Sequence, residues 1–136
     1  MSKMRKSIAR VALLMAGALV AVLALEVVVA AHTFDNTPNV SIRWRGDLTK
    51  FRGRVKSDRK ICQKERTVTV RKRRNNKPNK FIGTTTTSRA GYWGVPTGKR
   101  KPGRFYAIVT GKHIKKYQHN HRCRGGQSPI LKLERK

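Results

Sequence analysis

Beyond Asp47 the chain alternates apolar and polar positions with a period of two. Phe51, Gly53 and Val55 alternate with Arg52, Arg54 and Lys56, the pattern of a half-buried strand. Val68 and Val70 alternate with Thr67, Thr69 and Arg71 and predict a second. Asn75-Asn76-Lys77-Pro78-Asn79 is a dense turn signal. Ile82, Thr84 and Thr86 predict a β-branched third strand, closed by the tight turn Ser88-Arg89-Ala90-Gly91. Tyr92 to Val95 predicts a short fourth strand with Trp93 and Val95 on one face. Phe105, Ala107 and Val109 mark a fifth, and Ile130 to Leu133 a last one. His32 to Asp47 shows no sustained periodicity and reads as a linker arm, with Trp44 able to dock on the domain. Gly111 to Gln127 reads as a long polar loop.

No stretch after residue 31 carries the spacing of an amphipathic helix. The pattern therefore predicts an all-β fold, a single antiparallel β-sandwich over residues 48–136. Its predicted core is Phe51, Val55, Val68, Val70, Ile82, Trp93, Val95, Phe105, Ala107, Val109 and Leu131 or Leu133. That core is thin, so a covalent staple would matter.

The start of the chain has a different pattern. Lys3, Arg5, Lys6 and Arg10 precede fifteen uncharged, mostly apolar residues from Val11 to Leu25. Val29-Ala30-Ala31 then offers small residues where leader peptidases cut. The arrangement predicts a signal helix over residues 1–31, cleaved after Ala31, and hence an exported protein, extracellular, periplasmic or held at the cell wall. The rival is an uncleaved anchor, since Val11 to Ala31 is just long enough to span a bilayer. Glu26 opposes that rival, because a charge within the membrane is costly.

Charge changes the picture further. The 136 residues carry 33 Lys and Arg against six acids, a net +27. After cleavage 105 residues would hold 29 cations and five acids, a net +24. Most of these cations must face solvent or an anionic partner. The two cysteines, Cys62 and Cys123, both fall in the exported part. An oxidising compartment favours a disulfide between them over free thiols or a metal site. Antiparallel strands put alternate loops at opposite ends. The loops holding Cys62 and Cys123 then share one end. Arg71, Lys72, Arg73, Arg74, Lys77 and Lys80 would gather with Lys99, Arg100 and Lys101 at the other, as a basic pole.

Phe51-Arg52-Gly53-Arg54-Val55, Cys62, Arg66-Thr67-Val68-Thr69-Val70, Gly91-Tyr92-Trp93, Pro102-Gly103-Arg104-Phe105-Tyr106-Ala107 and Cys123 form an ordered set. The set resembles small exported bacterial proteins of the carboxypeptidase-regulatory-like, transthyretin-like group, over about Leu48 to Leu133. Thr87 to Trp93 looks like that group's turn from Thr to Gly-aromatic, with Ser88 where the group usually has an acid. The resemblance implies a seven-stranded-type, transthyretin-like or Ig-like sandwich that accompanies other activities without catalysing a reaction; fold likeness assigns no chemistry.

The residues point the same way. Asp35, Asp47, Asp58, Glu65 and Glu134 have no spacing that pairs an acid with a base, and no nucleophile motif or phosphate-cradling glycine loop occurs. We therefore expect no enzyme and no cofactor. His119, His121 and Cys123 alternate, with His113 upstream, but Arg122 and Arg124 repel a cation. An alternative function is copper handling, with His32 as a new N-terminus beside the His119/His121 region. The basic surface carries the stronger expectation: binding of anionic cell-wall polymers or lipid headgroups. Extracellular nucleic acid stacked on Tyr92, Tyr106 or Tyr117 ranks below these.

Overall fold

The computed structural model describes residues 33–117 and 119–135. The sequence-predicted signal helix over residues 1–31 lies outside them, as does His32. The described part belongs to a compact unit spanning Ala31–Lys136. It is all-β, with helix limited to two single 3-10 turns at Gly46–Leu48 and Lys60–Cys62.

Among the described residues twelve strands make three sheets. In the first, β4 (Lys50–Lys56) pairs along one edge with β2 (Asn39–Val40) and β3 (Arg43–Arg45), and along the other with β7 (Tyr92–Pro96). In the second, β6 (Lys80–Thr86), β5 (Thr67–Arg73) and β8 (Gly103–Val109) run side by side. The free edge of β8 takes β11 (Gly126–Gln127) and β12 (Leu131–Leu133). The third sheet is β1 (Thr33–Asn36), β10 (His119–Cys123) and β9 (Lys112–Lys116).

The alternation read from the sequence is the burial pattern of the two larger sheets. Phe51, Val55, Trp93 and Val95 from the first meet Val68, Val70, Phe105, Ala107 and Val109 from the second in one core. Phe51 and Phe105 touch across it, with ring centroids 4.7 Å apart. Each fully buried side chain of this size stabilises by about 1.5–3 kcal/mol over its exposed state. Gly53 sits in the middle of β4 because a Cβ there would collide with the Ser41 carbonyl and the Trp93 ring.

Three expectations need correction. Residues 32–47 are not a linker arm where they are described: β1, β2 and β3 lie in sheets, and Val40 is buried in the core. These strands are two to four residues long, too short for a period to show. Nor is Gly111 to Gln127 a loop, since β9, β10 and β11 occupy most of it. β9 and β10 carry no apolar residue but Ile114 and the bridged Cys123, so ladder hydrogen bonds rather than an apolar face define them. Finally, β1 runs parallel to β10, so the pairing is not antiparallel throughout.

β6 differs in phase. Its register against β5 passes from Val70↔Gly83 to Arg71↔Phe81, leaving Ile82 as the extra residue of a bulge. Ile82 and Gly83 therefore both approach the core, Gly83 against Val95. Phe81 is left 55% exposed, and Thr84 and Thr86 face outward.

Candidate functional site

Two regions carry unusual chemistry, one at each end of the larger sheets. At the first end Cys62 and Cys123 form a disulfide with Cα atoms 5.3 Å apart, as the sequence predicts. Cys123 closes β10 rather than lying in a loop. Beside the bridge Arg66 is fully buried. Its Nη1 donates to the Cys62 carbonyl at 2.6 Å, and its Nη2 to the carbonyls of Thr110 at 2.9 Å and Arg124 at 2.6 Å. One guanidinium thus joins three chain connections. Burial pushes its pKa down, because the charge has left water. Thr87 completes the arrangement: its Oγ1 accepts from the Arg66 N–H at 2.8 Å and donates to the Gln63 carbonyl at 2.6 Å. Sequence reasoning missed Arg66, because an arginine buried without a carboxylate leaves no compositional mark.

At the other end lie the β5–β6 turn, the β7–β8 loop and the β3–β4 turn. Thr97 ties the last two, its N–H donating to the Thr49 carbonyl at 3.1 Å. Strand register sets like charges directly opposite one another here. Lys72 faces Lys80, and Arg73 faces Arg104. Arg45 faces Lys50. Asp47 answers Arg45 with two hydrogen bonds of 2.9 and 2.6 Å, and the guanidinium holds its carboxyl at about 2.

The nine basic residues singled out in the sequence behave differently from one another. Lys80, Lys99 and Lys101 line one cleft of about 180 Å³. Lys72 reaches over the Phe105 ring, its Nζ 5.7 Å from the centroid. Arg71 is half-buried on β5. Arg74 folds back on its own turn and donates to the Pro78 carbonyl at 3.0 Å. Arg100 is engaged with the tail, donating to the Glu134 carbonyl at 2.6 Å. Arg73 and Lys77 are exposed.

Aromatic rings form the rest of that cleft, which sequence reasoning did not foresee. Trp44 meets Phe51 edge-on at 5.1 Å, and Phe105, Phe81 and Ile82 complete the apolar lining. The available signal was Phe81 beside Lys80, hidden by a bulge that strict alternation does not show. Of the three tyrosines considered for base stacking, Tyr106 is buried, its hydroxyl accepting from Asn79 Nδ2 at 2.7 Å. Tyr92 and Tyr117 are exposed, each with a cation over the ring, Arg54 and Lys116 respectively.

Among the described residues no group of three His, Cys, Asp or Glu side chains could hold a metal ion. His119 and His121 lie on β10, and the Cys123 sulfur is committed to the bridge. Nor, among those residues, is any helix long and apolar enough to cross a membrane. No family model, curated protein or solved structure matches this chain.

Proposed function

We propose that this protein is an exported, non-catalytic β-sandwich that binds polyanions at the cell envelope through the basic end of its sheets. Seven ribbons around one core support a transthyretin-like sandwich: β2/β3, β4 and β7 in one sheet, β6, β5, β8 and β11/β12 in the other. The third sheet is an addition to that pattern. Export is supported by the basic start and apolar run of residues 1–31, and the disulfide is compatible with an oxidising compartment.

One observation carries the binding reading. Like charges are held opposite each other at Lys72↔Lys80 and Arg73↔Arg104, while Lys80, Lys99 and Lys101 converge on a cleft whose lining includes no acid. Such pairs oppose folding unless an anion sits among them.

The test is retention on an anionic matrix as a function of salt. Lys99→Ser with Lys101→Ser, and Arg73→Ser with Arg74→Ser, should each elute earlier. Each should also flatten the dependence of log K on log salt by about one to two. Arg122→Ser with Arg124→Ser, at the disulfide end, should change retention far less. Unchanged retention in the first two variants, with loss in the third, would refute the assignment.

A further inference from the structure

The proposed basic surface is not uniformly polar, and its cleft is built for more than a phosphate. Lys80, Lys99 and Lys101 rim a floor made by Trp44, Phe51 and Phe105. Phe81, next to Lys80 on β6, is 55% exposed at the mouth. Leu48, in the turn that joins β3 to β4 at the same end, is 44% exposed. Large apolar side chains exposed beside cations and aimed at a preformed apolar cleft mark a surface for an amphiphile.

We propose that this end of the protein docks on an anionic lipid surface, with the lysines on headgroup phosphates and Phe81 in the acyl boundary. The inference rests on the polyanion reading and specifies its ligand. A wholly polar wall polymer would leave the aromatic floor and Phe81 facing nothing apolar. Single-stranded nucleic acid needs ring faces free for successive bases. Here Phe51 and Phe105 are buried 4.7 Å apart, Trp44 is half-buried edge-on to Phe51 at 5.1 Å, and Phe81 is the one ring of the cleft left more than half exposed. A single apolar wedge with a ring of cations matches a headgroup layer over hydrocarbon: charge draws the protein to the leaflet, and apolar burial holds it there.

The full chain is titrated with phosphatidylglycerol vesicles, phosphatidylcholine vesicles, polyphosphate and a single-stranded oligonucleotide. The first 31 residues are common to every variant, so differences report on the cleft. Phe81→Trp should shift its emission to the blue on phosphatidylglycerol but not on phosphatidylcholine, read against the parent protein. Phe81→Ser should weaken phosphatidylglycerol binding about fivefold, the loss expected for half a phenyl ring left in water, and leave polyphosphate binding unchanged. Lys99→Ser with Lys101→Ser should weaken both. No blue shift together with unaltered vesicle binding by Phe81→Ser overturns the lipid inference. The polyanion reading then still stands if the lysine variant loses polyphosphate, and falls with it if polyphosphate binding is unaffected. Loss of the oligonucleotide but not of vesicles in Phe81→Ser overturns the inference in favour of nucleic acid.

Discussion

Replacing Arg66 with methionine isolates what the buried guanidinium does. The substitution keeps the length of the stem and its packing, and removes every donor. Three carbonyls, of Cys62, Thr110 and Arg124, lose their bonds to the charged group. At about 1.5–3 kcal/mol for a bond to a charged group, the gross loss is about 5–9 kcal/mol. Against this stands the relief of a buried charge with no carboxylate beside it, itself several kcal/mol. The asymmetry of hydrogen bonding decides the sign: the Cys62 carbonyl, whose bond is buried, costs its full desolvation when left unmet, about 1–3 kcal/mol, and the carbonyls of Thr110 and Arg124, whose bonds are part-buried, cost less. We expect a net destabilisation of about 2–4 kcal/mol, or a Tm lower by about 10–25 °C for a domain near 100 residues. Arg66→Lys should fall between, since one ammonium keeps the charge but not a planar fork that reaches three acceptors. Urea denaturation of the oxidised protein, followed by the fluorescence of buried Trp93, measures both variants. A methionine variant as stable as the parent, or more so, would refute the reasoning. It would show the guanidinium to be a tolerated burden rather than a clamp.

Two further outcomes follow from the same geometry. Reducing the Cys62–Cys123 bridge, which closes a separation of 61 residues, should lower stability by at most about 4 kcal/mol in the chain-entropy account; reduction without any loss would show that the bridge constrains nothing. The Asp47 carboxyl, held at about 2 by Arg45, has a folded pKa below its unfolded one, so its contribution is present above the ordinary carboxylate range and is lost as pH falls through about 2. Its carboxyl resonance should titrate near 2 and return toward about 3.9 in Arg45→Gln; a parent midpoint already near the ordinary value would contradict the pairing.

What the sequence disclosed, and what it hid, follows from how each element is stabilised. β4, β5, β7 and β8 bury one face, and burial of Phe51, Val55, Val68, Val70, Trp93, Val95, Phe105, Ala107 and Val109 is written as alternation. β9 and β10 bury little on either face, and backbone pairing between them leaves no side-chain period. β2 and β3 contribute Val40 and Trp44 to the core or its margin from strands too short to show one. The disulfide was legible because an even pair of cysteines and strand parity both constrain it. The aromatic floor was not, because it needs Trp44 from a segment without periodicity and Phe81 from beside a bulge. Strict alternation puts Ile82 and Thr84 on one face, whereas the bulge turns Ile82 to the core and leaves Thr84 outside.

The distribution of like charge bears directly on why this surface exists. Arg43↔Arg52, Arg45↔Lys50, Lys72↔Lys80 and Arg73↔Arg104 are cross-strand neighbours. Each such pair opposes folding by a few tenths to about 1 kcal/mol, the more so at low salt. Asp47 offsets the Arg45↔Lys50 pair, and the other three together reach about 1–3 kcal/mol, of the same order as the staple at the disulfide end. Threonine at these positions would suit a strand as well and remove the repulsion. The chain does this further along the same β5–β6 ladder, where Thr67↔Thr86 and Thr69↔Thr84 face each other. Sheet formation therefore does not require the cations. Bulk solubility does not require them to be adjacent either, since dispersed charge serves it equally well. Adjacency is useful where a single anion must be met by several cations at once. An anion bound there would remove the repulsion and add its own attraction, stabilising the folded state by RT ln(1 + L/Kd), which grows logarithmically with the anion concentration L. Under the proposed polyanion binding, the bridge at one end offsets a repulsion that a bound anion would relieve at the other.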